Sequence, residues 1–272
     1  MATNSNSISI GTGSASSGSN ALSIGLSSST TNNDGVAVGN TARASGLGAT
    51  ALGFNTNCQG NFGVVLGNAS NITGTAAGTA NSVAIGNNAS VLGTDCIAIG
   101  TSLTINTGLN NAIGIGNSAS VTVSNRFQLG NTSINSLRCQ VALTVTSDGR
   151  FKYDVKENVP GLDFISKLRP VTYKFDKEKL SQFRKEEKVA INTNTIESGF
   201  IAQEVEETAK SLGYSFNGIS APTNSNTDTY GISYSQFVVP LVKAVQEQQT
   251  QIEDLKKEVE DLKRLVEKLV NK

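Results

Sequence analysis

Histidine is missing altogether from the 272 residues, and there are only four prolines and three cysteines. Without histidine, His-based zinc sites and Ser-His-Asp triads are excluded, so any nucleophile needs a different base. The cysteines, Cys58, Cys96 and Cys139, form no Cys-x-x-Cys, and their odd number leaves one unpaired in any disulfide scheme within the chain. They read as small buried residues. Lysine and arginine balance aspartate and glutamate at 22 each, with no basic stripe, so neither nucleic acid nor an anionic membrane is expected as a partner. No run approaches the ~20 apolar residues needed to span a bilayer, and Met1-Ala2-Thr3-Asn4 opens no basic, then apolar, leader. Membrane insertion and export by a signal peptide are therefore not expected.

Charge is also unevenly spread. Residues 1–146 carry only Asp34, Arg43, Asp95, Arg126 and Arg138 and no proline, whereas all other charges and all prolines follow. So abrupt a change marks a domain boundary near Ser147. Two lone aspartates in the first part make neither a glycosidase carboxylate pair nor a calcium cage, and no metal or cofactor is expected.

The first part is a repeat. Apolar-glycine pairs recur at Ile10-Gly11, Ile24-Gly25, Val38-Gly39, Leu52-Gly53, Leu66-Gly67, Ile85-Gly86, Ile99-Gly100, Ile115-Gly116 and Leu129-Gly130, mostly 14 residues apart, with intervals of 19 and 16 at 67–86 and 100–116. A fixed period of this kind is the mark of a solenoid, here a β-roll of short strands and Gly-Asn turns, with longer loops at the two departures. The inward side chains are expected to be mostly Ala, Val, Ile and Leu, with Phe54, Phe62 and Phe127 as the only aromatics. Such a thin core buries little apolar area against the chain entropy it fixes, so association of rolls side by side is expected to supply the rest. Over residues 8–130, and most clearly in Val83-Ala84-Ile85-Gly86 and Ile97-Ala98-Ile99-Gly100, the chain resembles the head of trimeric autotransporter adhesins of the YadA type. The resemblance implies a left-handed parallel β-roll, three of which pack into one head.

Beyond Ser147 the pattern turns to α+β. Val171–Phe175 alternates like a half-buried strand, Ser198–Glu206 reads as a turn entering a helix, and Pro222 lies in a polar loop. A last helix, starting near Tyr234 or Ser235, carries a 3.5-residue apolar seam at Val238, Leu241, Val245, Ile252, Leu255, Val259, Leu262, Val266 and Leu269, interrupted at Gln248. This is a coiled coil. Its core residues alone suit two strands, while Leu265 and Val270 widen the seam toward a larger bundle; the β-roll decides for three. The expected domains are a head at 1–130, a neck at 131–146, an α+β domain at 147–240 and the coiled coil at 241–272.

Three stretches, Ser147-Asp148-Gly149-Arg150-Phe151-Lys152 with Lys156-Glu157-Asn158, Gly199–Val205, and Tyr234-Ser235 leading to Leu241–Gln248, resemble in order the intramolecular chaperone of endosialidases and phage tail fibres, the S74 peptidase domain. Phe151 stands where that family usually has leucine. The resemblance implies a homotrimer in which the C-terminal domain drives assembly of the upstream β-structure and then cuts itself off. Carried over, Ser147 is the nucleophile and Lys152 its base, with the cut at Ser147; the resemblance points to the Ser147-Asp148 bond, and attack of Ser147 on the Thr146 carbonyl is the alternative. A serine hydroxyl needs such a base, and a lysine serves when burial favours its neutral form. On a strand Arg150 would share a face with Lys152 and repel its charge; Lys156 and Glu157 are candidate supporting residues or solvated surface charge. The expected protein is a viral or phage fibre, in a virion or tail, whose head meets a host receptor or glycan. An adhesin-like surface protein with a trimerising stalk and no peptidase activity is the competing reading.

Overall fold

The structure is a computed structural model that describes residues 1–73, 81–186 and 190–271. Its contacts group into two units, Met1–Arg138 with Asp176–Thr193, and Cys139–Phe175 with Asn194–Lys272. The neck expected at 131–146 is thus divided, and part of the expected 147–240 domain belongs with the roll.

The first unit is a parallel β-roll of about eight turns. Three-residue strands such as Leu22–Ile24 and Val36–Val38 stack in sequence order into a nine-stranded sheet, and two-residue strands such as Ser29–Thr30 into an eight-stranded one. Register follows the apolar-glycine pairs: Ile10 faces Ile24, Ile24 faces Val38, and Leu66 faces Ile85 across the 19-residue interval. The extra residues leave this register untouched because they fall between the paired strands. The 16-residue interval is absorbed between Ile105 and Ile113, around Gly108, while the longer loop expected at 67–86 falls partly at 74–80, outside the described residues.

Glycine recurs because the coils come too close for a side chain. From Gly11 to Gly100 the glycine after each long strand has φ between +121° and +152°, and a Cβ there would stand 1.8–2.5 Å from the next coil's glycine oxygen. The other sharp turn takes φ of 51–58° at Asn6, Asn20, Asp34, Asn81, Asp95, Asn111 and Asn125, a region asparagine and aspartate tolerate best. Their side chains bond from coil to coil, Asn6 to Asn20 and Asn20 to Asp34 at 3.1 Å, and Asn81 to Asp95 at 3.0 Å. The two isolated aspartates are thus acceptors that finish asparagine ladders.

The inward side chains are mostly Ala with some Val, Ile and Leu, as expected, alanine being the most frequent. In each long strand only the second residue points in, Ser23, Ala37, Ala51, Val65, Ala84 and Ala98, opposite Thr30, Ala44, Cys58, Ile72, Val91 and Ile105 of the short strands. In the first coils this core is polar and internally bonded, Ser16 and Ser23 each lying 3.0 Å from Thr30. Phe54, Phe62 and Phe127 are 54–59% exposed, so the expectation of inward aromatics is corrected. Period-two alternation leaves the flanking residues of a three-residue strand no choice but to point out. They form two rows up the nine-stranded sheet, Ile8 to Phe127 and Ile10 to Leu129, all apolar except Thr50. The eight-stranded sheet instead shows water Ser29, Arg43, Asn57, Asn71, Ser90 and Thr104. Cys58 and Cys96 are buried as expected, and burial pushes the Cys58 thiol up to about 11; Cys139 is exposed, against expectation.

In the second unit, α1 (Leu162–Ile165), α3 (Ala202–Ser211) and the start of α4 (Val238–Val270) enclose Phe164, Val205, Ala209, Phe216 and Phe237. Two short antiparallel pairs, Val171–Tyr173 with Glu197–Gly199 and Ile219–Ser220 with Gly231–Ile232, complete it. The last helix begins as a 3-10 turn at Tyr234–Phe237, and its seam from Val238 to Leu269 is 45–72% exposed.

Gly53→Ala should destabilise the roll by about 2–4 kcal/mol, since its methyl meets backbone that cannot move aside. Chemical denaturation followed by circular dichroism reads this; a midpoint within error of the parent would contradict the close approach.

Candidate functional site

Asp148 shapes the stretch at the composition boundary. Its carboxylate accepts the Arg150 backbone N–H at 2.9 Å and so caps a 3-10 turn over Gly149–Phe151. The turn closes with Phe151 N–H on the Asp148 carbonyl and Lys152 N–H on the Gly149 carbonyl, both 3.1 Å. Reversing the chain in this way carries Lys152 back to Ser147, and Lys152 Nζ donates to Ser147 Oγ at 2.8 Å. The nucleophile and base expected from the sequence therefore touch.

Arg150 does not do what was expected of it. The stretch is a turn rather than a strand, and the guanidinium folds onto Asp148, Nη2 to Oδ2 at 2.6 Å, while lying 5.7 Å over the Phe151 ring. Its charge is spent on Asp148 and not on Lys152. The side-chain bond from Arg150, helped by its backbone N–H, holds the Asp148 carboxyl below the usual carboxylate range. Lys156 pairs with Asp154 at 3.0 Å in the open, and Glu157 is exposed; neither joins the Ser147–Lys152 contact.

Water reaches this site from every side. Ser147 and Lys152 are exposed, and so are the flanking Val145, Phe151 and Tyr153 at 81%, 75% and 92%. Burial of the lysine, the condition set for its use as a base, is not met within one chain.

The other motif stretches turn out to build the domain. A Cβ on Gly199 would stand 2.2 Å from the Tyr234 hydroxyl oxygen, which accepts the Phe200 N–H at 3.1 Å. Glu204 is held by Arg169, whose Nε donates at 3.0 Å. A further glycine that sequence reasoning passed over, Gly161, lies against α4, and a Cβ there would be 2.5 Å from Glu247 Oε2, the atom that accepts the Leu162 N–H at 2.8 Å. An aromatic cleft of about 470 Å³ opens between Tyr173, Phe175, Phe200, Tyr230 and Tyr234, and it includes neither Ser147 nor Lys152. Its sequence signals were the alternation around Tyr173 and the motif stretches that hold Phe200 and Tyr234. Among the described residues no group of three or more His, Cys, Asp or Glu side chains could hold a metal, and no helix is long and apolar enough to cross a membrane.

Lowering the pH should loosen the turn only below the usual carboxylate range. The folded carboxyl titrates lower than the unfolded one, so its contribution is complete above the unfolded value and disappears as the pH falls through the folded one. Carbon-detected NMR titration of Asp148 should show this depressed inflection, and Arg150→Ala should move it back up; coincident curves would refute the pairing.

Residues 147–214 match the family described as chaperone of endosialidase, Peptidase_S74, and residues 31–56 and 80–102 match the YadA head domain repeat. Among solved structures, the collagen-binding domain of the Yersinia adhesin YadA is similar at 20% identity, over 53% of this chain and 91% of that one, with a TM-score of 0.43. No curated protein matches the chain. In sequence, then, the chain is similar to two families in tandem, YadA head repeats followed by a chaperone-of-endosialidase segment.

Proposed function

We propose that the chain is the subunit of a homotrimeric fibre or adhesin-type surface protein, whose C-terminal part drives assembly and then separates itself by a cut at Ser147. The observation that carries the assembly is the unpartnered apolar surface: two rows of Ile, Leu and Val on one face of the roll and a helical seam from Val238 to Leu269, both open to water in a single chain. Patches of this extent are characteristic of interfaces. Identical copies supply matching faces at no cost in specificity, and Leu265 and Val270, 56% and 77% exposed, widen the seam toward three helices rather than two.

The 2.8 Å contact between Lys152 Nζ and Ser147 Oγ supports the cut. As a neutral amine, Lys152 takes the proton from the attacking hydroxyl, a tetrahedral carbonyl adduct forms, and the same ammonium protonates the departing backbone nitrogen. Attack of Ser147 on the Thr146 carbonyl closes a five-membered ring and shifts the chain from N to O, leaving an ester for water to hydrolyse. Family resemblance favours the Ser147-Asp148 bond, where Ser147's own attack would need a four-membered ring. There the hydroxyl of another copy or a water is the nucleophile. Either route needs a dry lysine, and packing of neighbouring copies over Val145, Phe151 and Tyr153 provides it. Cleavage would thus wait for assembly.

A virion or tail location and a host receptor or glycan for the head belong to this reading, supported by the family matches at both ends. The competing adhesin without peptidase activity predicts an assembled protein that stays whole.

Wild-type protein should give two fragments of near half the chain, and Ser147→Ala or Lys152→Ala a single full-length band. Intact masses fix the bond, because the two alternatives differ by one serine. A full-length wild type in a verified trimer would exclude the cut. Independently, Val38→Asp with Ile85→Asp should lower the mass in sedimentation equilibrium toward one chain or prevent assembly; an unchanged trimer would move the interface elsewhere.

A further inference from the structure

One buried carboxylate has no part in the proposed cut. Glu186 is 8% exposed and accepts the Thr132 backbone N–H through both oxygens at 3.2 Å, the Thr132 hydroxyl, and the Ser181 hydroxyl at 3.1 Å. Thr132 is equally buried at 8%, and Ser181 fully.

The place of Thr132 in the repeat explains the contact. In successive coils the residue two after the turn glycine donates its N–H to the preceding coil: Ser27 to Thr12, Thr41 to Leu26, Asn55 to Asn40, Ala69 to Phe54, Asn88 to Asn68, Ser102 to Asn87 and Ser118 to Thr101, all at 2.8–2.9 Å. Thr132 follows Gly130 by the same two residues, at the last coil, and its N–H goes to Glu186 instead. A solenoid must be stopped at its ends, where unpaired backbone groups otherwise invite further strands.

The carboxylate is held in place by its own loop. Asp176 caps α2 (Lys177–Phe183) by accepting the Lys179 N–H at 2.9 Å, and Asn192 closes the loop by donating to Asp176 at 3.0 Å while accepting the Glu178 N–H at 3.0 Å. The Ser181 hydroxyl that donates to Glu186 also accepts the Ala190 N–H at 3.2 Å. Nearby, Arg184 and Lys185 line a polar cleft of about 250 Å³ with Ser102, Thr104, Ser118 and Ser120.

We infer that residues 176–186, with 190–192, form the C-terminal cap of the β-roll, donated by sequence downstream of Ser147, and that through Glu186 they keep the C-terminal fragment bound to the head after the chain is cut. The capping role stands by itself; retention after cutting rests on the proposed function, and the test separates the two. With the cap in place, division of the chain at Ser147 removes a covalent link and leaves the hydrogen bonds intact. Departure of the fragment is then a second, slower event.

The test uses the full chain carrying Ser147→Ala and a recognition site for an added protease after Thr146, so that it reads retention whether or not Ser147 cuts by itself. After digestion the two fragments should co-elute on size-exclusion chromatography, with intact masses confirming both. Glu186→Ala should release the C-terminal fragment roughly 10–100-fold faster, as expected for loss of bonds to a charged acceptor. Thr132→Val, which removes only the hydroxyl, should also release faster. Hydrogen exchange of the undigested protein provides a second reading: Glu186→Ala should raise the exchange of the Thr132 amide at least tenfold. If Glu186→Ala fails to fold, Thr132→Val carries the comparison. Immediate separation of the parent fragments would overturn retention, and unchanged release and exchange in both variants would overturn the cap.

Discussion

Each coil of the roll lies so close to the next that the turn between strands has no room for a Cβ, and much else in the first unit follows from that spacing. Close stacking lets every coil bond to its neighbour through the backbone, with Ile10, Ile24, Val38 and Leu52 in unbroken register. It also keeps the long strands to three residues in most coils, one of which points inward. The interior is therefore alanine, serine and a few larger groups, and the branched residues that would fill a conventional core are displaced to the outside. A roll built this way holds its backbone together well and its apolar side chains badly, which is the physical pressure toward association.

The same economy governs the site at the boundary. Asp148 and a single 3-10 turn bring Ser147 and Lys152 into contact without help from the rest of the fold. Local sequence is enough to align the pair but not to dry it, because no packed element surrounds a turn this exposed. One chain supplies the geometry, and under the proposed function exclusion of water is left to assembly. Such a division separates having the groups from using them, and suits a reaction that should follow folding rather than compete with it.

The motifs after Ser147 acquire a different meaning in three dimensions. Gly199 lies against the Tyr234 hydroxyl and Gly161 against Glu247, contacts that join strand, turn and helix around Phe164, Phe200 and Phe237. Arg150 is the clearest reversal. On a strand it would face Lys152, but the Asp148 cap turns it away, and nothing in the spacing of the two residues announces the difference.

The sequence by itself determined the repeat, its register and the apolar helical seam, because each rests on periodicity, while resemblance to a family named the candidate pair. Glycine at a fixed interval permits little but close stacking, and Ser147 and Lys152 are near enough for a turn to join them. Only the tertiary structure decided which residue of each strand faces inward, since a three-residue strand has the same alternation whichever face is buried. Only it showed that Phe54, Phe62 and Phe127 lie outside, that the Ser147–Lys152 pair is open to water, and that Glu186 meets Thr132, 54 residues earlier in the chain. No local pattern encodes a bond across that separation.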